Sequence, residues 1–446
     1  MCFKSLFTVL SLFLLVSCAN DQTSNTLELD IKLRNYIADA SETGEESYYI
    51  LPSSDDLDNI PQDPKNPLTK VKVELGRQIF YDTGLGMDAM KSSGMGTYSC
   101  ASCHLPTAGF RPGSAQGVAD GGIGFGFNGE ARVKNRDYEE NELDVQSARP
   151  LSLINVAFVT NTFWNGQFGS TGVNVGTEEV WHEAEETELN DLGFQGIETQ
   201  NIEGLAVHRI TINKEILDQY GYTDMFDDAF PDVEEADRYN RFQASMAVSA
   251  YIRTILSDKA PFQEWLKGDE RAMSVSEKEG ASLFFGKARC ANCHYRPNLG
   301  SLEFHALGVK DMYQSPSFNS ASTDKRNLGR GGFTLKEEDN FKFKVPQLYN
   351  MDDAPFFFHG SSKRTLEEVV DYKIEAVSEN PNVSNERLST VFRPVNLTEE
   401  ERSNLLLFLK TSLKDPNLER HAPTAVLSGS CFPNNDPQSR MDIGCQ

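Results

Sequence analysis

Apolar residues recur at helical spacing in four stretches of the chain, separated by polar or glycine-rich segments. Two are short: VELGRQIFYD (Val73 to Asp82) and EKEGASLFFGKARC (Glu277 to Cys290). Ser274 and Glu277 stand in capping-box spacing at the start of the second. RYNRFQASMAVSAYIRTIL (Arg238 to Leu256) predicts a long amphipathic helix with Met246 as a packing residue on its apolar face. LTEEERSNLLLFLKTSL (Leu397 to Leu413) opens with Thr398 and Glu401 in the same capping spacing and stops before Pro416. Alternating patterns are sparse, so few strands are predicted and the fold class is mainly α. GGIGFGFNGE lacks a strand-turn-helix setting and a phosphate-loop lysine, and reads as an ordinary loop. Residues 18–70, with LPSSDDLDNIPQDPKNP, read as a polar, Pro-punctuated tether and approach to the first domain.

The first residues have a different pattern. Lys4 precedes an apolar run from Leu6 to Val16, too short to span a bilayer and shaped like a secretory signal over residues 1–17. LVSC resembles a bacterial lipobox, which makes Cys18 the expected lipidated residue; Ala19 follows it, so an inner-membrane retention signal is absent. The expectation is an exported protein, lipid-anchored on the periplasmic face of a bacterial outer membrane. At 446 residues, two or three domains are expected, and 39% hydrophobic with 10% aromatic content suits a sizeable core. A formal net charge of -24 argues against nucleic acid as a partner.

Two pentapeptides carry the candidate chemistry. CASCH (Cys100 to His104) and CANCH (Cys290 to His294) both read C-x-x-C-H, the attachment signature of c-type haem. Two thiols at this spacing match the porphyrin vinyl groups, and His104 or His294 then falls beneath the iron as proximal ligand. A thioredoxin-like site needs a βαβ setting, and a zinc site a second Cys/His pair; neither is visible. Each motif follows an apolar helix and a loop, which looks like a duplication. The copies lie 190 residues apart, so each is expected to serve its own domain, 71–270 and 271–425. Of the 8 cysteines, Cys2 leaves with the signal, and Cys431 and Cys445 are left to pair in the tail 426–446. The acidic balance would suit a basic redox partner.

Five stretches together resemble the bacterial dihaem cytochrome c peroxidase family, which includes dihaem enzymes that oxidise tryptophan residues on partner proteins. They are LGRQIFYD, SCASCHLPTAGF, LINVAFVTNTFWNGQ, LFFGKARCANCH and FKVPQLYNMDDAPFFFHGSSKRTLEEVVDY. The resemblance implies two cytochrome c-like domains, each wrapping one covalent haem. The N-terminal haem binds peroxide and the C-terminal one receives electrons. It implies hydrogen peroxide as substrate, a small cytochrome c or cupredoxin as donor, and often a homodimer. Trp164 in TFWNGQ matches the family's inter-haem tryptophan and is the candidate electron relay. The family's distal acid maps onto Glu203 or Glu198, with Gln195 and His208 nearby. A calcium ion held between domains would use Asp353 and Pro355.

Two departures from the family pattern stand out. Reductively activated members carry a histidine after the first motif that blocks the peroxidatic iron. This chain has 7 His, and none falls between His104 and His182, so the first haem is expected to be open at rest. The sixth ligand of the second haem lies 14 residues beyond the family histidine that matches His359, which is Lys373, with Tyr372 beside it and Met351 as the methionine alternative. Three functions follow: a peroxidase reducing hydrogen peroxide to water, an oxidase acting on a protein, or a non-enzymatic dihaem electron carrier.

Overall fold

The computed structural model describes residues 27–445; the expected signal segment and Cys18 lie outside the described residues. The chain is helix-rich, with only two short antiparallel pairs among the described residues. β1 (Gly122–Ile123) pairs with β2 (Val133–Lys134), and β3 (Phe304–His305) with β4 (Phe343–Lys344). The helices that shape the site are α1 (27–40), α2 (Lys70–Tyr81), α3 (Gly196–Val207), α4 (Arg241–Arg253), α5 (Val275–Phe285), α6 (Leu366–Glu375) and α7 (Glu399–Leu407).

The same helix crossing occurs twice. α2 packs on α4, and α5 packs on α7. At each crossing a glycine lets two backbones meet. A Cβ on Gly76 would stand 1.9 Å from the Ala247 carbonyl oxygen, and one on Gly280 would stand 2.0 Å from that of Asn404. Four residues after each glycine comes a phenylalanine one helical turn on, so Phe80 and Phe284 face the same way as the glycines. Phe80 lies 6.4 Å from the His104 ring and Phe284 6.4 Å from the His294 ring. Across the crossing, Tyr251 meets Phe80 at 5.3 Å and Phe408 meets Phe284 at 5.5 Å. The duplication expected from the motifs thus extends to the packing that supports them.

Capping sets the helix limits. Both expected capping boxes form, Ser274 with Glu277 and Thr398 with Glu401. The stretch from Arg238 to Leu256 is shorter as a helix than its periodicity suggests, because the Asn240 side chain accepts from Gln243 N and starts α4 there. After α7 the chain widens into a π-type turn over Phe408–Ser412 before Pro416.

The ends of the described chain differ from expectation. Residues 27–70 do not run as a tether. Leu33 and Ile37 of α1 are fully buried, and Asp30 accepts from Trp265 Nε1 at 2.9 Å and pairs with Lys278 of α5 at 2.7 Å. Trp265 and Phe262, placed before residue 271, also pack with the second half: Phe262 stacks near Phe285 and meets Phe408. The tail returns to the first half. Thr83 Oγ1 donates to Cys431 O, and Ser99 and Ser102 hydroxyls both donate to Pro433 O. Cys431 and Cys445 form a disulfide, and Asp436 pairs with buried Arg132. Buried apolar residues from Leu33 to Val426 form one continuous cluster through both halves.

Candidate active site

Each C-x-x-C-H motif forms a tight 3-10 turn, over Cys100–Ser102 and Cys290–Asn292. The four motif thiols form no disulfide. Burial pushes Cys100, Cys103 and Cys290 up to about 12, so these sulfurs stay protonated near neutrality. Both histidines are oriented by a backbone carbonyl: His104 Nδ1–H donates to Phe110 O at 3.1 Å and His294 Nδ1–H to Leu299 O at 2.7 Å. This fixes the tautomer and leaves Nε2 with a free lone pair, as an axial metal ligand needs. Burial lowers the His104 imidazole to about 4 and, with Lys373 adding to it, His294 to about 3. Both rings are therefore neutral at pH 7.

A cavity of about 730 Å³ opens on the first motif, lined by Cys100, Cys103 and His104 and reaching Trp164 and the segment from Lys344 to Gln347. Glu203 and His208, on and just after α3, line it as well. Burial raises the Glu203 pKa above the usual carboxylate range, and the neighbouring Glu186 and Glu185 add to the rise. Burial alone would lower His208, but the Asp144 carboxylate 2.8 Å from Nδ1 outweighs it and raises the pKa. Glu198 has a different setting. It is fully buried, paired with Arg253 at 2.6 Å, and approached by Asn66. Gln195 Oε1 accepts from the same Arg253 and serves this pair, not the cavity. Of the two candidate acids, the structure brings only Glu203 to the first motif.

The second motif meets α6. The Lys373 ammonium interacts with Cys290, Cys293 and His294, and burial lowers its pKa to about 8 against the pull of the two sulfurs. Its Nζ lies 5.9 Å from the Phe358 ring and 6.0 Å from the Phe392 ring, in a largely apolar surround. Tyr372 points elsewhere: its hydroxyl donates to Leu307 O at 2.6 Å. Met351 lies at the first centre, with its sulfur accepting from Arg111 at 3.4 Å. Of the three ligand candidates, only Lys373 faces the second motif. Asp353, two residues before Pro355, accepts from Asn350 and pairs with Lys414 at 2.7 Å. Among the described residues, no group of three or more His, Cys, Asp or Glu side chains stands where it could hold a metal ion.

Trp164 lines the cavity and is held from both halves. Its Nε1 donates to Arg149 O at 2.7 Å, and its carbonyl accepts from Lys344 N at 2.8 Å. Its ring lies 6.1 Å from that of His359, which stacks on Phe343 and contacts the Asp311 carboxylate at 2.9 Å. Buried arginines also stand on this wall. Arg149 gives its outer nitrogens to the carbonyls of Pro112, Ser114 and Ala115, and its Nε has no partner. Arg111 donates to the carbonyls of Gly109 and Asn350. Uncompensated buried cations call for an anion, and a haem brings two carboxylates. Unbridged thiols, carbonyl-oriented neutral histidines, cavity volume and buried arginines all fit covalent haem. The sequence reading missed Arg111, Arg149 and the pairing of His359 with Asp311; the quoted family stretches run beside or through this region, but no local pattern distinguishes a buried arginine from a solvated one.

These features match known proteins. Residues 70–271 match the family model described as Di-haem cytochrome c peroxidase. The methylamine utilization protein MauG of Methylorubrum extorquens is 28% identical over 361 residues, covering 80% of this chain and 83% of that protein. Cytochrome-c peroxidase IdrP1 of Denitromonas iodatirespirans is 27% identical over 381 residues, covering 81% of this chain and 86% of that protein. The fold is shared with a solved MauG-like protein associated with microbial copper homeostasis, with TM-score 0.55 and 24% identity, over 83% of this chain and 95% of that one. With two C-x-x-C-H loops on duplicated helix crossings, residues 70–271 match the di-haem cytochrome c peroxidase family, most of the chain is similar to MauG and cytochrome-c peroxidase relatives, and it is an oxidoreductase.

Proposed function

We propose that the protein reduces hydrogen peroxide to water with electrons from a small cytochrome c or cupredoxin, at the His104 centre. The observation that carries this reading is the unlike surroundings of the two motifs. His104 faces a cavity that holds Glu203, whereas the His294 motif is faced by the amine of Lys373. Cys100 and Cys103, and Cys290 and Cys293, would hold the two porphyrins as thioethers, with His104 and His294 ligating through Nε2. Bound haem supplies iron that delivers electrons to the O–O bond. Glu203 would accept the proton of one peroxide oxygen and return it to the other, which leaves as water as the O–O bond breaks; two electrons from the donor and two protons from solvent convert the remaining oxygen to the second water. His208, fixed by Asp144, supports the same proton path. Trp164 relays electrons between the halves, and its hydrogen bond to the Arg149 carbonyl fixes the ring on that path. Lys373 would offer the second centre a neutral amine, a form made accessible by its lowered pKa. The proposal includes export and a lipid on Cys18.

A second reading, oxidation of a protein substrate, has one feature in its favour: residues 105–181 contain no histidine to close the first centre. The two separate in steady-state assays. The peroxidase reading expects peroxide to be consumed in step with oxidation of a reduced small cytochrome or cupredoxin. If peroxide reacts once with the protein and no added donor sustains turnover, that reading fails and the protein-oxidising one stands.

A further inference from the structure

Lys344 on β4 is 4% exposed, and its Nζ has no hydrogen-bond partner among the described residues. It lines the cavity, with the Phe304 ring 5.5 Å away. An unpaired buried ammonium is costly, and its neighbours raise the cost. Burial, then repulsion from Arg330 and Arg296, pushes Lys344 down to about 7. Arg296 comes two residues after His294, and its buried Nε is without a partner too. Arg330 gives its outer nitrogens to Asn165 O, Asn174 Oδ1 and Val173 O. None of the three cations makes an ion pair among the described residues. In a chain of net charge -24, two buried cations and the half-buried Arg296 beside them, all without a paired acid, are a built feature.

The backbone ties this trio to both centres. Lys344 N donates to Trp164 O at 2.8 Å, and Val345 exchanges hydrogen bonds with Ser301 and Glu303, in the loop after His294. A single negative group beside Lys344 and Arg296 would satisfy both orphan nitrogens. Covalent attachment at Cys290 and Cys293 would bring a carboxylate to this loop without any free ligand. We infer that Lys344, together with Arg296, holds a propionate carboxylate of the haem at the His294 centre. The pair neutralises the cations and anchors the strand that carries the Trp164 carbonyl. Lys344 is a positioning residue here, not a catalytic one. The inference rests on the proposed haem assignment, whose failure would show separately as a wild-type protein without two covalent haems.

The test uses the two-haem protein, with both midpoint potentials measured by spectroelectrochemistry in the wild type, Lys344→Met and Lys344→Arg. Lys344→Met is expected to lower the midpoint of the His294 centre, because an unneutralised carboxylate favours the ferric state. Lys344→Arg should restore it, the His104 centre should stay in place, and added chloride or phosphate should have no saturable effect on the wild type. An unmoved midpoint in Lys344→Met with both haems attached overturns the inference. So does a saturable chloride or phosphate shift that Lys344→Met abolishes, since the pocket would then take a free anion. Should Lys344→Met not accumulate with two haems, Lys344→Gln is measured in its place and read in the same way.

Discussion

Glu198 and Glu203 share one helix, yet their neighbours give them opposite work. Glu198 is locked to Arg253 with no exposure on either side chain, whereas Glu203 opens into the cavity with a raised pKa. Glu198→Gln should destabilise the fold by about 3–5 kcal/mol in denaturant unfolding, because it leaves Arg253 buried and unpaired. Glu203→Gln should fold normally and lose about 100-fold or more in peroxide turnover. Glu203 accepts a proton only when ionised. A raised pKa therefore means that turnover falls as pH is lowered through a value above the usual carboxylate range, and stopped-flow pH profiles should show this limb vanish in Glu203→Gln. The C-x-x-C-H motifs were legible because the spacing a porphyrin requires is local in the sequence. The choice between the two glutamates was not, because it depends on Arg253, 55 residues further along from Glu198. Lys373 and Tyr372 were indistinguishable for a similar reason: a helix turns by about 100° per residue, so adjacent positions face different neighbours.

At the scale of elements, periodicity found α2 and α5 and the capping residues found their starts. The sequence did not show that Gly76 and Gly280 are the points where helices touch. Glycine inside a helix is ordinarily unfavourable, by about 0.5–1 kcal/mol relative to alanine. Here the sign reverses, since a methyl group would run into the Ala247 or Asn404 carbonyl. Gly76→Ala and Gly280→Ala should each lower stability by about 1–3 kcal/mol in chemical unfolding, against the gain expected from helix propensity alone. A neutral or stabilising effect would mean that the crossings are looser than described. The polar reading of residues 27–70 failed because Asp30 counts as hydrophilic by composition, although its carboxylate is buried between Trp265 and Lys278.

Across the whole molecule, the two ends of the described chain clasp opposite halves. α1 packs on the second half, and the tail from about residue 426 packs beneath the first motif, so neither half is a contiguous stretch of sequence. Linear reading assigns a boundary to the chain; burial assigns it to surfaces, and only the latter sees this exchange. The Cys431–Cys445 bridge closes a loop of 14 residues under the first centre. Replacing both cysteines with serine should cost about 3 kcal/mol of stability, and calorimetry of oxidised and variant protein would register it. The halves share one core but give the two motifs unlike surroundings, a cavity with Glu203 at one and Lys373 at the other. An electron paramagnetic resonance spectrum of the fully oxidised protein, recorded beside Lys373→Met, reads both environments at once. It should show one high-spin and one low-spin ferric centre, with only the low-spin signal altered in the variant. Two low-spin centres, or a low-spin signal indifferent to Lys373→Met, would refute the division of labour between the halves.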